Sequence, residues 1–119
     1  MATLSIDGYA PREKLADTDL LSRVLGEYLP ELGMRILEGA APFISPYHTE
    51  EGVVNYSGVV LLEAPHYHLT IHAFQDTGLV WIDTTYDPNK KPEDAVAYFE
   101  KHLGLRDAKA VIHGEEKVA

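Results

Sequence analysis

One short stretch carries His66, His68 and His72 and, beyond the turn at Asp76, the carboxylates of Asp83 and Asp87. Imidazole and carboxylate are the groups that carry acid–base work near neutral pH, and they also supply ligands to zinc and similar divalent metals. The spacing is that of a strand. Side chains alternate across an extended chain, so His66, His68, Thr70, His72 and Phe74 fall on one face, and Tyr67, Leu69, Ile71 and Ala73 on the other. With Asp76 and Thr77 as a two-residue loop, residues 79–87 return as a second strand. Phe74 then faces Leu79, His72 faces Trp81, Thr70 faces Asp83 and His68 faces Thr85. One face of this hairpin is core, and the other is where chemistry is expected.

That face supports two readings. In the first, His66, His68 and His72, with Asp83 or Asp87 across the hairpin, hold a divalent metal, or His72 beside Asp83 serves as a general base. Neighbours two apart on a strand are close enough to share an ion, but His72 lies two steps beyond His68, so the metal set requires sheet curvature. In the second, His68 and His72 are interface histidines hydrogen-bonded to Asp83, Thr70 or Thr85. Phe74 and Trp81 likewise either stack on a flat ligand such as a purine or fill an interface. His48, in a loop over residues 47–52, is either part of a lid or simply solvated.

The elements that must position these groups are legible along the chain. Residues 3–9 alternate, with Leu4 and Ile6 on one face, and read as a first strand. From Asp19 the apolar positions Leu20, Leu21, Val24, Leu25, Tyr28, Leu29 and Leu32 recur at helical spacing, with Asp17 or Thr18 to cap the start and Gly33 to end it. Pro30 predicts a kink or an early end. Residues 35–44 read as a strand broken by Gly39, residues 45–52 as a loop, and residues 53–62 as a buried strand rich in β-branched side chains. Glu63-Ala64-Pro65 must bend the sheet before His66. After a turn at residues 87–91, Pro92 opens a helix that buries Val96, Phe99 and Leu103 and closes at Gly104. Residues 108–113 read as the last strand and 114–119 as a polar tail.

This order predicts an α+β two-layer sandwich, a mostly antiparallel sheet with two helices on one face covering Tyr67, Leu69, Ile71, Val80 and Ile82. The opposite face, with His72, Phe74 and Trp81, is too apolar to remain in water without consequence. Pairing sheet to sheet with a second copy gives a homodimer of four layers, αββα.

At 119 residues the chain is read as a single domain, 1–119. A net charge of −9, with no basic cluster beyond Lys90-Lys91, opposes binding to nucleic acid. The absence of cysteine excludes disulfides and thiolate chemistry. The longest apolar run, Val59-Val60-Leu61-Leu62, is too short to cross a membrane, and nothing in the first residues reads as a signal peptide, so a cytoplasmic protein is expected.

The segment His68-Leu69-Thr70-Ile71-His72-Ala73-Phe74, the acidic turn with glycine, and the following strand with Asp83 resemble the centre of the prokaryotic S-adenosylmethionine decarboxylases. These are small pyruvoyl enzymes of polyamine synthesis. Ser57-Gly58-Val59-Val60 leading in, Asp7-Gly8-Tyr9 and the helix after the hairpin extend the resemblance over most of the chain. It implies the four-layer dimer, and it implies processing roles for Ser57 and His72. It also exposes two departures. The pyruvoyl group arises when a serine attacks the preceding carbonyl and the resulting ester eliminates; the matching residue here is Tyr67, or Ala64 if the gap is moved, and neither has a β-leaving oxygen. Asp87 stands where the family has its catalytic cysteine. The expectation is a divergent member without the pyruvoyl cofactor. It acts as a ligand-binding or regulatory homologue for a small cationic or nucleoside ligand, as a homodimer or with an active decarboxylase paralogue. Two alternatives stand beside it: a metal- or His/Asp-dependent enzyme, and an active decarboxylase processed at another hydroxyl such as Thr70.

Overall fold

β1 (Ala2–Tyr9) alternates, burying Leu4 and Ile6 completely on one face, and pairs with a strand on each side. The structure is a computed structural model and describes residues 2–114, so the tail expected over 114–119 lies, from residue 115 on, outside the described residues. After β1 come α1 (Arg12–Leu15), α2 (Thr18–Val24), a 3-10 turn (Leu29–Leu32), β2 (Phe43–His48), β3 (Val54–Leu61), β4 (His68–Phe74), β5 (Leu79–Tyr86), α3 (Pro92–Leu103) and β6 (Arg106–His113). The strands form one sheet in the order β2-β3-β4-β5-β1-β6, with every neighbouring pair antiparallel. The helices lie against one face and bury Leu69, Ile71, Ala73, Val80 and Ile82 with Leu15, Leu21, Val24, Leu29 and Phe99. This is the α+β two-layer sandwich expected.

Several local signals act as predicted. Asp17 caps α2, its carboxylate accepting the Leu20 N–H at 3.0 Å. Pro92 opens α3, and Gly104, at φ 69°, closes it in the left-handed conformation. The hairpin register is the expected one, with His72 opposite Trp81 and Thr70 opposite Asp83. Its loop, however, has four residues, because Gly78 at φ 82° turns its N–H back to the Phe74 carbonyl while Gln75 donates to Asn55 Oδ1. Neither is left to extend the ladder.

Other elements differ from what the sequence pattern predicts. The long helix expected to reach Leu32 ends at Val24 and resumes as the 3-10 turn, with Pro30 near its start and Gly33 at φ 71° closing it. Proline cannot donate to a continuing helix and collides with the carbonyl four residues before it, so the break falls ahead of Pro30. The one-turn α1 has no counterpart among the predicted elements, since four residues carry no periodicity. The strand expected at 35–44 contributes only an isolated bridge between Ile36 and Leu62, and β2 instead runs through Ser45-Pro46-Tyr47-His48, where composition indicates a loop. β2 is the sheet's edge, the one setting in which a strand tolerates proline.

The helical layer is seated directly beside the candidate site. A Cβ on Gly58 would lie 2.6 Å from Leu25 Cδ1 and 3.2 Å from Ile71 Cγ2, so the end of α2 rests on bare backbone next to Ser57. Gly58→Ala is therefore expected to destabilise the fold by about 1–3 kcal/mol through overpacking, read as a lower midpoint in urea. An unchanged midpoint would show that Leu25 moves aside freely.

Candidate functional site

The sheet face not covered by helices gathers Ser57, Val59 and Leu61 from β3, His68, Thr70, His72 and Phe74 from β4, Trp81, Asp83 and Thr85 from β5, and Ser5 and Asp7 from β1. At its centre Ser57 Oγ and His72 Nδ1 are hydrogen-bonded at 2.9 Å. The His72 ring lies between two aromatic neighbours, 6.0 Å from Trp81 and 6.5 Å from Phe74 by ring centroids. Lower on the face His68 Nδ1 and Thr85 Oγ1 are 3.0 Å apart.

His72 does not pair with Asp83. The Asp83 carboxylate accepts the Ser5 hydroxyl at 2.6 Å, and Thr70 donates to the Asp83 backbone carbonyl at 3.3 Å. Ser5 is a site residue that sequence reasoning missed, because it reaches Asp83 through the β1–β5 pairing of segments 78 residues apart. The hydrogen-bonding partners of His68 and His72 are hydroxyls. A serine hydroxyl on an imidazole supports proton transfer between the two, while the indole of Trp81, half exposed, offers a flat apolar surface beside Asp7 and Asp83.

His66 is not part of this face. β4 begins only at His68, and Tyr67 takes the left-handed conformation at φ 63°, which breaks the strand alternation. Its carbonyl accepts the Leu62 N–H at 2.7 Å, and the His66 N–H turns back to Glu63. His66 consequently points inward, 3% exposed, its ring 6.1 Å from Tyr86, whereas Tyr67, expected under the helices, is nearly half exposed. The three histidines of the proposed metal set therefore do not converge, and among the described residues no three His, Cys, Asp or Glu side chains are grouped as a metal ion would require. Asp87 lies in the turn after β5, where its side chain accepts the Asn89 N–H at 2.9 Å. His48 is on the edge strand β2 and exposed.

Burial sets the charge of the inward groups. His66 Nε2 is buried without a hydrogen-bonding partner, and burial holds the His66 pKa below its ordinary value, with Lys90 adding to the effect and Asp87 opposing it. Tyr86, whose phenol donates to the Lys91 carbonyl at 2.8 Å, is pushed up to about 12 by burial and by the carboxylates of Asp94, Asp87 and Glu93. Because the folded state lowers the His66 pKa, the unfolded chain takes up the proton first as pH falls below 6.5. Stability is thus expected to fall from about pH 6.5 down to the folded-state pKa, and His66→Phe should flatten that part of the curve. Unfolding midpoints measured at several pH values for both proteins check this, and parallel curves would remove His66 as the cause.

No helix among the described residues is long and apolar enough to cross a membrane. Comparison with known proteins adds a family. The family model described as S-adenosylmethionine decarboxylase matches residues 2–113. Among solved structures, the crystal structure of the adenosylmethionine decarboxylase from Aquifex aeolicus VF5 is similar with a TM-score of 0.69. The match covers 99% of this chain and 95% of that one at 19% sequence identity, a likeness of fold. No curated protein sequence matches the chain.

Proposed function

Because the chain belongs to the S-adenosylmethionine decarboxylase family, we propose that it is a member without self-processing, one that binds a small organic cation and acts as a ligand-binding or regulatory protein of polyamine metabolism. One observation carries this reading. From Leu62 to Tyr67, the bend where the family resemblance places the cofactor-forming serine, the residues are Leu, Glu, Ala, Pro, His and Tyr. None has an aliphatic hydroxyl or thiol that could attack the preceding carbonyl and then leave by β-elimination. The pyruvoyl group does not fit this junction, and the chain also lacks any cysteine.

What the junction lacks, the open face retains. Trp81 and Phe74 offer ring surfaces, Asp7 lies opposite Trp81 across the β1–β5 ladder, and Asp83 follows two residues on. Aromatic faces beside carboxylates suit an ammonium or sulfonium cation, including one attached to a nucleoside. Phe43, Leu61, Trp81 and Val111, each at least half exposed, share the face and favour its burial against a second copy or an active decarboxylase paralogue, with sheets inside and helices outside. Calorimetric titration with S-adenosylmethionine and with spermidine tests the binding half. Heat with either ligand that is lost in Trp81→Ala is the expected result, and no heat with both would remove ligand binding from the proposal.

A further inference from the structure

On the helical side, away from the open sheet face, a cleft of about 510 Å³ lies between the 3-10 turn, the end of β5 and α3. Its size is that of a small-ligand site. Tyr86 and Tyr98 line it and are almost fully buried, and their hydroxyls already donate to the backbone carbonyls of Lys91 and Val24 at 2.8 and 2.7 Å. They therefore close the floor of the cleft, with little ring surface exposed and no hydroxyl proton to spare. The charged groups differ in whether they are already satisfied. Glu31 accepts from both Lys101, at 3.1 Å, and His102, at 2.9 Å, and so is neutralised within the protein.

Lys90 and Asp94 are not. The Lys90 ammonium is held at 2.7 Å from the Leu32 carbonyl, a neutral acceptor, and a methyl group on Gly33 would collide with it. Gly33, at φ 71°, is in the left-handed conformation that glycine adopts without strain. Among the described residues no carboxylate lies within ion-pairing distance of Lys90 and no cation within that distance of Asp94, although both line the cleft. A positioned ammonium and a separate carboxylate, with exposed Ala97 in the lining, complement a ligand carrying the opposite charges and an apolar part. We propose that this cleft binds a small zwitterion of the α-amino-acid class, its carboxylate on Lys90, its ammonium on Asp94 and its apolar side chain over Ala97.

The test is calorimetric titration of the full chain with L-leucine and L-phenylalanine, alongside isoamylamine and 4-methylpentanoate, which keep the leucine skeleton but lack the carboxylate and the ammonium respectively. Saturable binding of at least one amino acid is expected, weakened roughly tenfold or more in either half-molecule and in Lys90→Met and Asp94→Asn. Asp94 makes no side-chain hydrogen bond or ion pair among the described residues, so its substitution separates loss of binding from loss of fold, and Arg12→Met controls for a change of charge elsewhere. Absence of binding by both amino acids at millimolar concentration would overturn the proposal, as would half-molecules that bind equally well or binding retained in both cleft variants.

Discussion

The purified protein, denatured and weighed, is expected to give one species at the full-chain mass near 13.2 kDa, and to release no carbon dioxide from S-adenosylmethionine above a protein-free control. The reason lies in the bonds that must form and break. Forming a pyruvoyl group requires an N→O acyl shift onto a β-hydroxyl and then expulsion of the new ester, and the bend from Leu62 to Tyr67 contains no such side chain. The nearest aliphatic hydroxyl along β4, Thr70, is unsuitable for a different reason. It lies mid-strand, opposite Val59 on one side and Asp83 on the other, and its hydroxyl is directed to the Asp83 carbonyl. Scission there would sever two ladders of the sheet that holds the site. Two fragments, the second blocked at its N terminus by a ketone, would overturn this reading and restore decarboxylation as the leading function.

If the open faces pair as proposed, the protein should sediment in analytical ultracentrifugation at twice the 13.2 kDa chain mass, and Trp81→Asp at the mass of one chain. Trp81 is half exposed at the middle of the open face, opposite Asp7 and two residues from Asp83. A third carboxylate there would be repelled by both, and covering it with a second sheet would strip its water without providing a cation. In the monomer the same side chain remains in solvent, so the fold should survive, as an unchanged far-ultraviolet circular dichroism spectrum would show. Wild-type protein that stays monomeric at every concentration would remove the sheet-to-sheet pairing.

The pH response separates two acid-sensitive groups. The window that opens at 6.5 belongs to His66, whose neutral form the fold prefers. A lower one, opening near 4.5, belongs to Glu31, whose carboxylate is held below its ordinary range chiefly by the His102 hydrogen bond and then by Lys101. Both lose stability as pH falls, because in each case the unfolded chain is the better proton acceptor.

Much of this architecture follows from short-range rules that the sequence itself expresses. Alternation over residues 68–74 and 79–86 specifies which side chains share a face, and a one-residue slip would expose the entire apolar set, so the pattern together with the short turn narrows the register. Asp17, Pro92 and Gly104 act on their own neighbours and are legible for the same reason. The family, too, is legible, since its central strand pattern and the order of elements both survive in the chain. The tertiary structure decided the rest. The inward turn of His66 depends on a single backbone angle at Tyr67, which no alternation pattern can announce, and that one residue dissolves the three-histidine set. The Ser5–Asp83 contact, and the cleft that brings residues 31–33 against residues 86–101, join segments distant in sequence. Their geometry comes from packing of the whole sheet and its helices, which local propensity does not encode.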